Sequence, residues 1–262
     1  MTTAALHVAR TGLDAQNMRM QVIANNLANV NTTGFKRDRA SFETLAYQTL
    51  TAAGAQSSDS TKFATGTNLG SGVQINGTAK VDTQGNLQTT NNALDLAIEG
   101  GGYFQIQMPD GRTGYTRDGN FSLSSDGTLV TSEGYQLQPQ IQIPDGAEKI
   151  TIGQDGTVSV NVSGQAEATQ VGKIETARFI NPSGLQSIGG NLLVETGSSG
   201  AAQVGAPASE GRGAIRQGSL EASNVNIVEE LVDMIETQRA YEVNSKMIKS
   251  TDEMLQYVNQ NI

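Results

Sequence analysis

Both ends of the chain carry a helical stripe, and the stretch between them does not. Leu6, Ala9, Leu13, Gln16, Met20, Ile23, Leu27 and Val30 recur at three- and four-residue steps, the spacing that places side chains on one face of an α-helix. Gly12 weakens the run, and Gly34, with Asn31 before it, offers a left-handed stop. A helix of about eight turns, on the order of 45 Å long, is expected within residues 1–34. At the other end Asn226 and Glu229 have capping-box spacing, and Glu229, Glu230 and Asp233 make the first turn acidic. Ile227, Leu231, Met234, Gln238, Tyr241, Ser245, Ile248, Leu255 and Ile262 continue a stripe that Asp252 and Asn259 interrupt, giving a second helix within 223–262.

Between them the pattern changes to short alternating runs such as Tyr103–Met108, Thr128–Thr131 and Thr157–Val162. Asp-Gly pairs punctuate these runs at Asp110, Asp118, Asp126, Asp145 and Asp155. Asp-Gly between alternating runs is a hairpin signal, so residues 73–222 read as a β-rich domain. Residues 35–72 read as an extended connection, polar and rich in Ser, Thr and Gly from Ala52 onward. A lone terminal helix cannot bury its stripe. The expected fold is therefore α+β: paired, coiled-coil-like N- and C-terminal helices with a β-rich middle domain inserted between them.

The stripes are imperfect in an informative way. Gln16, Gln238, Ser245 and Asp252 interrupt them, and polar seam residues cost stability while fixing register in an assembly. Asn25, Asn26, Asn29 and Asn31 crowd one helix and Asn244, Asn259 and Asn261 the other, supplying amides that donate and accept between helices. Up to Glu43 there are five basic residues against three acidic, and from Glu221 onward eight acidic against three basic. Complementary ends favour pairing within or between chains. Such helices are marginal alone and are expected to order on assembly.

Composition removes several function classes. A net charge of −9 with no basic tract argues against nucleic acid. With no Cys, disulfides and thiolate metal sites are excluded. No run approaches the roughly 20 apolar residues of a membrane span, and the N-terminus lacks the charged and apolar regions of a cleavable signal. The single His7 has no second His or Cys to join it in a metal or nucleophile site. A paired-carboxylate glycosidase is disfavoured because most Asp residues in the middle precede Gly in turns and aromatics are only 5%. The Asp-Gly spacing lacks a calcium-loop ladder, and Gly100-Gly101-Gly102 precedes a strand rather than the helix a phosphate cradle needs. No catalytic, cofactor or metal site is expected.

Three blocks carry a resemblance. Ala24-Asn25-Asn26-Leu27-Ala28-Asn29-Val30-Asn31-Thr32-Thr33-Gly34-Phe35-Lys36-Arg37 resembles the N-terminal signature of bacterial flagellar axial proteins, the rod and hook family. Ile98–Phe104 with Tyr115–Phe121 matches its middle. Ser223-Asn224-Val225-Asn226, Glu230-Leu231-Val232 and Gln238–Glu242 match its C-terminal signature. Thr11–Gln16, Phe42–Thr49 and Gly54–Ser58 look like the distal-rod version, and the segment after Tyr47 corresponds to an insertion that hook proteins generally lack. Gln21 departs from an acidic position common among relatives. Hook or proximal-rod subunits of the family, or a phage-tail-like fibre protein, are the alternatives.

The resemblance implies a helical homopolymer, the rigid shaft that carries torque through the periplasm from motor to hook. It implies as partners the proximal rod and hook proteins, the periplasmic and outer-membrane rings and the flagellar export apparatus, without membrane insertion. The expected assembly interface is Leu6, Leu13, Met20, Ile23, Leu27, Val30, Ile227, Leu231, Met234, Tyr241, Ile248 and Leu255. Residues 46–72, with Tyr47, Gln48, Gln56, Ser57, Ser58 and Phe63, are expected to bridge to neighbouring subunits, since so long a polar segment is not an idle loop.

Overall fold

The computed structural model describes residues 2–58, 61–162 and 167–260, and for Thr2, Thr3, Ala4, Ser57, Ser58, Thr61, Leu255, Val258, Asn259 and Gln260 the backbone alone. Its order is α1 (Thr2–Ala28), a β-rich middle, and α2 (Ile227–Gln260), an α+β fold. No helix among the described residues is long and apolar enough to cross a membrane. The chain divides into two units. One holds residues 2–27, 38–79 and 227–260; the other holds Ala28–Arg37 and Lys80–Asn226. These boundaries differ from those expected at residues 34, 72 and 222.

Helix α1 ends at Ala28, before the expected Gly34. Asn26 is engaged by the strand that follows: its Nδ2 donates to Asp38 O at 2.9 Å, and its Oδ1 accepts from Asp38 N at 2.8 Å. Residues 29–35 then turn, with Thr32 N donating to Asn29 O and Phe35 N to Thr32 O. Gly34 does take a left-handed φ of 66°. Its reason lies in the β-rich unit, where a Cβ would fall 2.6 Å from the Arg117 carbonyl carbon.

Much of the described part of residues 38–80 is strand rather than loop. Strands β1 (Asp38–Thr44), β2 (Tyr47–Thr51) and β3 (Gln56–Ser58) pair with β6 (Val73–Lys80), β5 (Thr67–Gly70) and β4 (Thr61–Lys62) respectively. The nested pairs form one long antiparallel ribbon that runs past residue 72, the expected start of the β-domain. Leu45 N donates to Gly72 O at 2.9 Å between the outer and middle pairs. The ribbon touches α1 near its base, where Val73 N donates to Thr11 Oγ1 and His7 Nδ1 lies 3.3 Å from Ser71 O.

The second unit is built on an antiparallel sheet of nine strands. Tyr103–Gln107 is its hub. It pairs with Thr113–Thr116 on one side and with both Gln136–Gln138 and Thr176–Arg178 on the other. Three expected Asp-Gly turns join paired neighbours: Asp110-Gly111, Asp126-Gly127 and Asp155-Gly156. Each of those glycines has positive φ, as tight hairpin turns require. Asp118-Gly119 serves differently, because a Cβ on Gly119 would meet Leu96 O at 1.6 Å. Leu96, Ile98, Phe104, Ile106, Phe121, Leu129 and Ile215 lead the core, with Phe104 and Phe121 edge to face at 5.2 Å. The strand Thr157–Val162 has the bounds its alternation predicts.

Candidate assembly surfaces

The two helices of the first unit meet antiparallel through polar groups. Arg19 Nη2 pairs with Asp233 Oδ1 at 3.1 Å, Asn26 Nδ2 donates to the Glu230 carboxylate at 3.3 Å, and Gly12 faces the Asn244 amide. As α1 ascends from residue 12 to 26, its partners on α2 descend from 244 to 230. Glu230, Thr237 and Thr251 are buried and Asn244 half-buried. Their seven-residue spacing is that of one helix face. Thr237 and Thr251 satisfy themselves by donating to the Asp233 and Met247 carbonyls. The covered face of α2 thus mixes these polar groups with the half-buried Met234 and Ile248.

Several of its apolar residues point elsewhere. Val232, Ile235, Val243, Met247 and Met254 are all exposed, Val243 at 59%. At 100° per residue they fall within about a third of the helix circumference. This is an uncovered face running most of the length of α2, on which these apolar residues alternate with exposed Glu236, Arg239 and Lys246.

The expected interface residues divide accordingly. On α1, Ile23 is buried and Leu6, Leu13, Met20 and Leu27 are half-buried. Val30 is half-buried in the second unit. On α2, Ile227, Leu231 and Tyr241 are exposed while Met234 and Ile248 are half-buried. The side chain of Leu255, and all of Ile262, lie outside the described residues. Leu231 is 43% exposed in the single chain, outside the face that meets α1 through Glu230, Thr237 and Asn244. The exposed arc was missed, although Val232, Ile235, Val243 and Met247 stand at helical spacing in the sequence.

The ribbon is a second exposed surface. Tyr47, Leu50, Phe63 and Leu69 are all exposed, Tyr47 and Leu50 at 62% each. Tyr47 pairs with Gly70, and Gln48 with Leu69. Since successive side chains alternate between faces, Tyr47 and Leu69 stand on opposite faces. Gln48 and Gln56 are exposed too, whereas the side chains of Ser57 and Ser58 lie outside the described residues. A two-stranded ribbon is marginal in water alone, and this one is uncovered on both sides.

Among the described residues no group of three or more His, Asp or Glu side chains could hold a metal ion. Asp110 and Asp155 accept from the backbone of their own turns, and hydrogen bonds from Arg112 and Thr157 respectively hold their carboxyls below the ordinary range.

Comparison with known proteins identifies the surfaces' context. Three family descriptions match in chain order. "Flagella basal body rod protein" matches residues 6–36, "Flagellar hook protein FlgE/F/G D1 domain" residues 97–160, and "Flagellar basal body rod FlgEFG protein C-terminal" residues 216–261. The chain is 50% identical over 256 residues to the flagellar basal-body rod protein FlgG of Buchnera aphidicola from Schizaphis graminum, covering 98% of both. FlgG of Caulobacter vibrioides is 48% identical over 257 residues, again with 98% of both covered. FlgF of the same organism is 36% identical over 257 residues, with 95% of this chain and 94% of FlgF covered.

Proposed function

The chain belongs to the flagellar basal-body rod protein family, as a structural protein and not an enzyme, and from that premise we propose how it builds the distal rod. Subunits polymerise through their terminal helices into a rigid shaft that carries torque across the periplasm to the hook. The observation that supports this reading is the uncovered arc of α2, Val232 to Met254, on a helix within the matched segment 216–261. Its occupant is a second copy of the chain, whose half-buried α1 residues Leu6, Leu13, Met20 and Leu27 sit beside it as the two helix pairs close. Leu231, exposed in the single chain, borders the same interface, whereas Tyr241 lies on the opposite side of α2. The complementary charge of the two ends favours that pairing. A polar contact between α1 and α2 holds the pair loosely, so the coiled-coil-like packing and full ordering of the helices accompany assembly.

The ribbon, exposed on both faces, bridges to neighbouring subunits and stops them sliding. Proximal rod and hook proteins cap the two ends of the shaft and the rings surround it, after export through the flagellar apparatus. The test is deletion of the gene followed by electron microscopy of isolated basal bodies. Short rods lacking the distal part and the hook, restored by the intact gene, are expected. Complete rods lacking only the hook would move the role to the hook, and intact motile flagella would contradict the reading.

A further inference from the structure

Three segments distant in the sequence bury one carboxylate. Glu221, 1% exposed, accepts at Oε1 from Lys36 Nζ at 2.6 Å and Gly85 N at 2.9 Å, and at Oε2 from Arg117 Nη1 at 3.2 Å. Lys36 and Arg117 are themselves buried. Lys36 Nζ also donates to Thr83 O, and Arg117 Nη2 donates to Gly100 O at 2.6 Å. The guanidinium lies over the Tyr103 ring at 5.4 Å, and the Tyr103 hydroxyl donates to Asp82. Burial, and then the neighbouring Arg117 charge, hold the Lys36 ammonium below the ordinary lysine range.

The backbone around this cluster is laced together. Gly34 N donates to Glu221 O at 2.8 Å, Val81 N to Arg37 O, and Asn224 N to Phe35 O. Asn224 Oδ1 accepts from Arg37 N, and its Nδ2 donates to Val81 O and Thr83 O. The segment that leaves α1 and the segment that enters α2 are thereby tied to each other and to residues 81–85, all within the β-rich unit.

Stability alone does not explain such a site, since well-packed apolar residues serve a core as well as a buried ion cluster does. What the charges add is a condition. Lys36 and Arg117 face each other across a carboxylate that belongs to the far end of the unit. Until that end docks, two cations share the site with no Glu221 between them. The three residues fall in the three separately matched segments, 6–36, 97–160 and 216–261.

We infer that Glu221 is a completion latch: the β-rich unit reaches its native stability only when the segment leading into α2 has docked beside the one leaving α1. A chain lacking either end stays open, so only whole chains offer both helices for assembly. The latch does not depend on what the subunits build.

The experiment compares Glu221→Gln, Lys36→Met and the double variant with the unaltered full-length chain, by chemical denaturation and amide hydrogen exchange. Glu221→Gln is expected to lower the folding equilibrium constant of the unit about a hundredfold or more, because it strands two buried cations. Amides of the hub strand Tyr103–Gln107 should then lose protection together with those of Gly34 and Gly85. The double variant, with one cation fewer, should recover part of the loss, and it reads the same coupling if Glu221→Gln alone does not fold. Loss confined to Gly34, Gly85 and Asn224 with the hub strand unchanged would overturn the latch. A double variant no more stable than Glu221→Gln would overturn it as well.

Discussion

Val232→Asp and Ile235→Asp each abolish polymerisation while leaving the β-rich unit folded. Both side chains are about half exposed in the single chain, so the substitutions bury no charge within it and cost the monomer little. In the proposed polymer the same positions are covered by a second copy. Burying a Val or Ile side chain is worth roughly 1.5–3 kcal/mol, and placing an unpaired carboxylate there adds a desolvation penalty of comparable or greater size. Because every subunit repeats the defect, the critical concentration for assembly should rise by at least about a hundredfold. Leu231→Asp should act in the same way, and Leu27→Asp should block assembly while also loosening the helix pair. Normal motility in the Val232 and Ile235 variants would mean that the arc is not an interface.

Deleting residues 46–72 gives a polymer that still forms but bends. The deletion is feasible because Leu45 N donates to Gly72 O, so the two arms of the ribbon are already adjacent where the chain would be rejoined. Pairing of β1 with β6 survives, and the helices lose only the contact of His7 with Ser71. What disappears is a surface carrying Tyr47, Leu50, Phe63 and Leu69 on an exposed ribbon. If neighbours grip that ribbon on both faces, its loss removes the contacts that resist sliding between subunits, and rods should curve visibly in electron micrographs. Straight rods of unchanged stiffness after the deletion would contradict the bridging role.

How much of this was legible in the sequence depended on whether burial followed a period. Both helices were, because Ile23 and its neighbours repeat at helical steps. The strand Thr157–Val162 was, because its buried and less buried residues alternate. The ribbon was read as an extended loop because every residue of β5 is exposed; with neither face covered inside the chain, no two-residue alternation is written into it. The inner face of α2 shows in the sequence only through Met234 and Ile248, half-buried at helical spacing. Glu230, Thr237, Asn244 and Thr251 are polar, and periodicity arguments look for apolar residues. Gly34 was flagged as a helix stop, yet its left-handed turn meets the Arg117–Asp118 backbone, a constraint that arises only once distant strands pack. Lys36 and Glu221, 185 positions apart, carry no local signal of their meeting.

The most direct measurement is the oxidation rate of Met247 and Met254 by dilute peroxide, in the free chain and in purified rods, read by mass spectrometry. Both thioethers are exposed on the arc of α2, whereas Met108 is buried in the β-rich core and serves as the internal reference. Methionine oxidation follows exposure. If α2 is the face along which subunits join, both residues should oxidise readily in the free chain and about tenfold or more slowly in the rod, with Met108 slow in both. Equal rates for Met247 and Met254 in the two states would contradict assembly through that face.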